Sequence, residues 1–238
     1  MASLQKPLNQ LLHLIYPLHC AVCETPIDQN QLCFKCEIGL RPIPPGHCVQ
    51  CGQWTAPATR CIECAEEKNY TGFCFGLYEE TKSLAILIQK LKYKGDRGLI
   101  QYLGELLFQA SASASRPDII TFVPMQKRRE RQRGYNQAEL LAKDLAESVD
   151  VPVQSLLRKT KKTKPQAALQ RRERLINLDH AFVARSCDAQ TVWLIDDVRT
   201  TGATLRACAT ALKDAGVNQV VALTLAAALP PRGDAIED

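Results

Sequence analysis

Residues Thr191 to Leu205, TVWLIDDVRTTGATL, admit few folds. The apolar run Val192, Trp193, Leu194, Ile195 has the length of a buried parallel strand. It ends in two adjacent carboxylates, Asp196 and Asp197, and then the turn Arg199 to Thr204. Beyond the turn, Ala203, Leu205, Cys208, Ala209, Leu212 and Ala215 recur at helical spacing until Gly216 stops the helix. Thr200, Thr201, Gly202, Ala203 and Thr204 therefore fall at a helix N-terminus, where backbone N–H groups and the positive end of the helix dipole favour an anion. The hydroxyls of Thr200, Thr201 and Thr204 add donors, and Gly202 lets the backbone approach closely. Asp196 and Asp197, at the carboxyl end of the strand, are placed to accept hydrogen bonds from sugar hydroxyls. A phosphate beside a diol describes a ribose 5-phosphate.

The remaining elements build an α/β domain around this unit. The expected order is a strand at Phe75 to Tyr78, helices Lys82 to Tyr93 and Gly98 to Ser111, and a strand Asp118 to Val123. A basic loop, KRRERQRGYNQ, follows Pro124 and Met125 and leads into a helix over Ala138 to Ser148. Strands at Ala181 to Ala184 and Val192 to Asp197, the helix Ala203 to Ala215 and the strand Gln219 to Ala226 then close the sheet.

The first quarter of the chain is of another kind. Cys20, Cys23, Cys33, Cys36, Cys48, Cys51, Cys61 and Cys64 form four CxxC pairs, and adding 28 to each position of the first half gives the second half. Two such knuckles complete a tetrahedral four-thiolate zinc site with no open position, so two structural Zn2+ ions are expected. The sequential sets, 20, 23, 33, 36 and 48, 51, 61, 64, need shorter loops than a crossed arrangement. Leu11 to Leu18 is too short, and too interrupted by His13 and Pro17, to read as a signal peptide, so a cytoplasmic protein is expected and disulfides are not; an iron–sulfur cluster does not suit the duplicated spacing. No apolar run approaches the roughly 18 residues that cross a bilayer, so no membrane insertion is expected. Leu4, Leu8, Leu11, Leu12 and Ile15 form a helical stripe that reads as a docking face for the rest of the chain. The expected division is 1–68 for the N-terminal helix and double ribbon and 69–238 for the α/β domain.

Net charge is +5, but Lys127 to Arg133 and Arg158 to Arg174 together carry +11, so the remainder carries −6. Arg129 and Arg133 stand at the carboxyl end of a parallel strand, where ligands of such sheets gather, and suit a pyrophosphate. Lys159, Lys161, Lys162, Lys164 and Arg174 lie in a segment without apolar periodicity at its start, expected to be a mobile loop that later becomes helical. Its charge fits a lid over a polyphosphate or a track for a nucleic-acid backbone, and composition does not separate the two. Tyr93, Tyr135 and Trp54 are the aromatic side chains available for base stacking.

The TTG turn behind its two acids closely resembles the phosphoribosyl diphosphate (PRPP) motif of type I phosphoribosyltransferases. With the duplicated ribbon, LKYKGD, VPMxxxRxxxRGYNQ, KTxxQxxLxxxxRxxN and IDDVRTTGAT, nearly the whole chain resembles the ComF/GntX family. Arg133, Gly134, Tyr135, Asn136 and Gln137 match its RGFNQ with Tyr for Phe, and Gln166, Leu169, Arg174 and Asn177 match its QxxLxxxxRxxN. The resemblance implies a type I phosphoribosyltransferase-like parallel sheet flanked by helices behind the zinc ribbon. It implies PRPP with Mg2+, the ribose 2- and 3-hydroxyls on Asp196 and Asp197, and the 5-phosphate on Thr200 to Thr204. It also implies a part in competence for natural transformation and the use of external DNA. Three readings stay open: a phosphoribosyltransferase with an unidentified acceptor, a PRPP-binding or degenerate domain that handles incoming single-stranded DNA, and a purely structural zinc adaptor that recruits a helicase-like partner. If the chain is an enzyme, Asp196 and Asp197 are the catalytic pair of a pentosyl transfer. No acceptor site is identifiable from the sequence.

Overall fold

A computed structural model describes residues 18–28, 31–41, 43, 48, 74–79 (backbone), 81–112, 114–160 and 181–228. In chain order the elements are β1 (Leu18–His19), β2 (Pro26–Ile27), α1 (Phe34–Ile38), β3 (Cys74–Glu79), α2 (Lys82–Lys94), α3 (Arg97–Ser111) and β4 (Ile119–Phe122). These are followed by α4 (Lys127–Arg133), α5 (Gln137–Val149), β5 (Leu157–Lys159), β6 (Phe182–Ala184), β7 (Thr191–Arg199), α6 (Ala203–Asp214) and β8 (Gln219–Ala227). The N-terminal stripe and the expected boundary at 68/69 fall outside the described residues.

β3, β8, β7 and β4 form a parallel sheet in that order. The last strand in sequence is thus an interior strand rather than the closing edge, and every residue of β8 after Gln219 is buried. Alternation along β7 explains its unbroken apolar run, since each face has its own core. Trp193 and Ile195 pack with Leu84, Leu103 and Leu141 of α2, α3 and α5, while Val192 and Leu194 pack with Leu205, Cys208 and Leu212 of α6. Helices therefore cover both faces.

Local chemistry sets the helix ends. Thr81 caps α2 by accepting from the Leu84 N–H, and Asp96 caps α3 by accepting from the Gly98 and Leu99 N–H groups. Between them Gly95 turns the chain with φ +57°, and its missing side chain faces the Tyr135 ring, where a Cβ would lie 3.1 Å away. Gly95→Ala is expected to destabilise the fold by about 1–2 kcal/mol, from the left-handed backbone alone, before any displacement of the ring. Urea denaturation checks it.

Lys127 to Arg133 is helical, not a loop. With no apolar residue its period is invisible, yet Lys, Arg, Glu and Gln all favour helix, and Gly134 at φ +88° ends it. The second basic stretch also departs from expectation at its start. Arg158 and Lys159 lie on β5, paired antiparallel with β6.

The ribbon packs on the α/β domain. Cys20, Leu32, Cys36 and Leu40 share a core with Leu84, Leu87 and Leu91, and Glu24 Oε1 lies 3.5 Å from Lys90 Nζ. Between α3 and α5, Asp144 faces Gly104, and burial, with Glu147 and Glu105 nearby, raises its carboxyl above the ordinary range. A raised folded-state pKa means that ionisation opposes folding as pH climbs above the unfolded value. Asp144→Asn should therefore raise the melting temperature at pH 7, with the gain vanishing toward pH 3. Among the described residues no helix is long and apolar enough to cross a membrane.

Candidate functional site

β7 continues through Arg199, beyond the two acids, and pairs with β8 at Asp196↔Thr224 and Val198↔Ala226. Asp196 and Asp197 thus lie within a strand rather than at its tip, and successive side chains diverge. Asp197 is 6% exposed, with Lys92 Nζ at 2.8 Å from its Oδ2. The Gln137 amide also donates to that oxygen, at 3.1 Å. Three stretches far apart in sequence, LKYKGD, RGYNQ and IDDVRTTG, meet on one carboxylate.

Asp196 is half-buried, and its Oδ1 accepts from the Asp197 N–H at 2.9 Å. Burial, followed by the charge of Asp197, holds its carboxyl well above the ordinary range, against the pull of that N–H and of Lys92. Beneath it the Cys208 thiol is pushed up by burial and by Asp196 itself. Lys159 stands close enough to Cys208 and Arg129 to feel both, and burial lowers its pKa. Its ammonium sits 5.4 Å from the centre of the Phe182 ring.

The turn after β7 carries Gly202 at φ +73° as the N-cap of α6, so no side chain of the N-cap residue covers the first turn. A Cβ there would meet nothing nearer than the Arg199 side chain at 3.9 Å. The glycine is required by its backbone angle, not by crowding. Thr200 is exposed, Thr201 and Thr204 are half-buried, and Ala203, which is buried, donates its N–H to Thr201 Oγ1 at 3.4 Å.

On α4, Arg129 is exposed. Arg133 is half-buried, 5.6 Å from the Tyr93 ring centre, and donates to Gln137 Oε1. Asn136 caps α5 and donates to the Val123 carbonyl at 3.0 Å, tying the RGYNQ turn to the end of β4. Lys161, Lys162, Lys164 and Arg174, with Gln166, Leu169 and Asn177, lie outside the described residues. The described residues on either side of that stretch are joined at the end of the β5–β6 pair, where the Thr160 N–H donates to the Ala181 carbonyl at 2.9 Å.

Lys92 and Gln137 are the residues whose part in the site the sequence did not reveal, although both stand in motifs that it did. Among the described residues, Lys92→Met would leave the buried Asp197 with Gln137 as its side-chain partner. It is expected to destabilise by about 1–3 kcal/mol, the range for a buried polar group losing a partner, because Lys92 is itself partly exposed. Denaturation at low and high salt reads it.

In the ribbon, the sulfurs of Cys20, Cys23, Cys33 and Cys36 lie within 4.8 Å of one another. Zinc with tetrahedral bonds of about 2.3 Å would set sulfurs about 3.8 Å apart, so this first sequential set fits the ion. The Val22 N–H points to the Cys20 sulfur at 3.5 Å, as a metal-binding knuckle requires. Hydrogen bonds to the Thr25 side chain and backbone lower Cys23 to about 6, favouring the thiolate a metal takes. Of the second set, Cys48 is buried and Cys51, Cys61 and Cys64 lie outside the described residues.

Comparison with known proteins places this geometry in context. Residues 11–74 match the double zinc ribbon domain. Over 214 residues, 85% of this chain and 93% of the relative, the sequence is 31% identical to competence protein F of Haemophilus influenzae. It is 29% identical to the DNA utilization protein YhgH of Salmonella typhimurium over 203 residues, 81% of this chain and 89% of that one. Among solved structures, glutamine phosphoribosylpyrophosphate amidotransferase from B. subtilis, complexed with ADP and GMP, aligns with a TM-score of 0.38 at 20% identity. The alignment covers 57% of this chain and 30% of that one. The chain joins a zinc ribbon to a parallel sheet flanked by helices.

Proposed function

The chain belongs to the ComF/GntX family, proteins of competence and DNA utilization, and from that premise we propose that it binds PRPP at the carboxyl edge of its sheet and handles incoming single-stranded DNA in the cytoplasm. The observation that carries this reading is the convergence of Lys92 and Gln137 on Asp197, beside Asp196 and the glycine-capped start of α6. Such an arrangement serves a ligand with a diol and a phosphate.

In this reading Thr200, Thr201, Gly202, Ala203 and Thr204 hold the 5-phosphate. Asp196 and Asp197 hold the ribose hydroxyls, and Arg129 and Arg133 grip the diphosphate. Lys92 and Gln137 share one oxygen of Asp197, so Mg2+ would be held by the other oxygen of Asp197, by Asp196, and by the diphosphate and ribose oxygens of the ligand itself. The ion, when bound, neutralises diphosphate charge. If transfer occurs, the bond from the anomeric carbon to the diphosphate oxygen breaks as one to the acceptor forms, and pyrophosphate leaves with the electron pair. The two aspartates then face the positive charge that develops on the sugar. The second four-cysteine set holds a second structural zinc, and the division into ribbon and sheet domains falls near residue 68.

Phe34, 80% exposed, and Ile38, 62% exposed, favour a second role. They lie one helical turn apart on the ribbon helix α1, and as an apolar face they suit docking to a helicase-like uptake partner.

The DNA part of the reading is tested by the salt dependence of binding to a single-stranded oligonucleotide. Affinity should fall with a log–log slope of roughly −0.7 per phosphate neutralised, flattened when Lys159, Lys161, Lys162 and Lys164 are made neutral. No binding even at low salt would remove DNA and leave the lysines to the diphosphate. Turnover of PRPP with a panel of nucleobases separates an active transferase from a binding protein.

A further inference from the structure

We infer that Tyr93 and Arg133 form a stacking platform for a base of single-stranded DNA, set at the rim of the two-aspartate site; this deepens the reading above and rests on it. Tyr93 is 73% exposed at the end of α2, yet it is next in sequence to Lys92, which turns inward to Asp197. Among the described residues its ring partner is the guanidinium of Arg133, 5.6 Å from the ring centre.

An exposed tyrosine over an arginine is a common pair and by itself indicates no ligand. Here the arginine is held: it donates to Gln137 Oε1, and the other end of that amide donates to Asp197 at 3.1 Å. Ring, guanidinium, amide and carboxylate therefore form one connected row from solvent to the buried acid. The row fixes two flat groups at one end while the sugar-binding groups stand at the other. A nucleotide has the same layout, with a flat base joined to a hydroxylated sugar.

The other aromatic candidates do not fit the role. The Tyr135 hydroxyl donates to the Leu91 carbonyl at 2.7 Å and its ring lies against Gly95, so it holds the end of α2 in place. Trp54 lies outside the described residues. Beside the platform, Lys127, Arg128, Arg129 and Arg131 are exposed on α4. An aromatic surface flanked by a basic track is how single strands are bound without reading sequence, the base on the ring and the phosphates on the cations. A strand thus satisfies both parts, whereas a free base would use only the first.

Fluorescence anisotropy with labelled oligothymidylate and with an abasic oligomer of equal length tests this. The wild type should bind the oligothymidylate about tenfold or more tighter. Tyr93→Phe should keep that preference. Tyr93→Leu should bind the two oligomers alike while retaining the salt dependence, because the phosphate contacts are untouched. With Tyr93 so exposed, thermal melts of the variants should match the wild type. Equal binding of both oligomers by the wild type, or a preference that survives Tyr93→Leu, overturns the platform. Competition by free adenine that depends on Tyr93, without any preference for the oligothymidylate, assigns the surface to a free base and overturns the strand. Calorimetry of the wild type with PRPP and Mg2+ is read separately. Its failure with the oligomer preference intact removes the phosphoribosyl reading and not the platform.

Discussion

Cys33→Ser is expected to lose the zinc of the first ribbon and unfold that ribbon, with a cooperative loss of stability in the neighbouring domain as well. Three ligands hold zinc far less firmly than four, and in such modules metal binding is the folding free energy, apparent values being about 10–16 kcal/mol for structural zinc. From the sequence, the same change is expected to unfold the ribbon while largely sparing the rest of the chain. The structure extends it: Cys20, Leu32, Cys36 and Leu40 cover the same apolar cluster as Leu84, Leu87 and Leu91 of α2. Opening the ribbon would expose that face, and α2 carries Lys92, a partner of Asp197. Metal analysis should give one zinc fewer per chain. Hydrogen exchange should rise in α2 as well as in the ribbon, and exchange confined to the ribbon would show that the packing between them carries no stability.

Asp196→Asn should move stability and binding in opposite directions. In the free protein burial and Asp197 raise the carboxyl of Asp196, so its ionisation opposes folding. That penalty is absent below the unfolded-state value and complete above the folded-state value. The variant should melt at a higher temperature than the wild type at neutral pH without magnesium, the difference closing as pH falls below about 4. Its affinity for PRPP should nevertheless drop, since an amide neither offers the second acceptor to the ribose diol nor carries the charge that meets a cation. For comparison, Thr201→Val in the proposed phosphate cradle should weaken binding by about 1.5–3 kcal/mol, one hydrogen bond to a charged group. A protein under selection for stability alone would not keep two carboxylates side by side on an interior strand.

Most elements were legible because their signals are local. The apolar stripe of α2 and the Val192 to Ile195 run lie within a few residues of what they specify. The misses have physical causes too. The α4 segment has no apolar face, so only propensity marked it. β5 carries two cations in three residues, which disguises a strand. The interior place of β8 is a matter of which strands pair across the whole chain. At the site, the acids were visible as a pair, but their divergence follows from the strand running on through Arg199. The bond from Gln137 to Asp197 spans 60 positions, a contact that no local pattern encodes.

The central claim is that the edge holding Asp196, Asp197 and the start of α6 is a working phosphoribosyl site. Isothermal calorimetry of the full chain with PRPP and Mg2+ tests it most directly. Saturable binding is expected, with weaker binding of ribose 5-phosphate because it lacks the diphosphate, and loss of both in the Asp196→Asn, Asp197→Asn double variant while that variant remains folded. No heat and no thermal shift with the wild type at millimolar PRPP would contradict it, and the strand, turn and helix would then be a fold element alone.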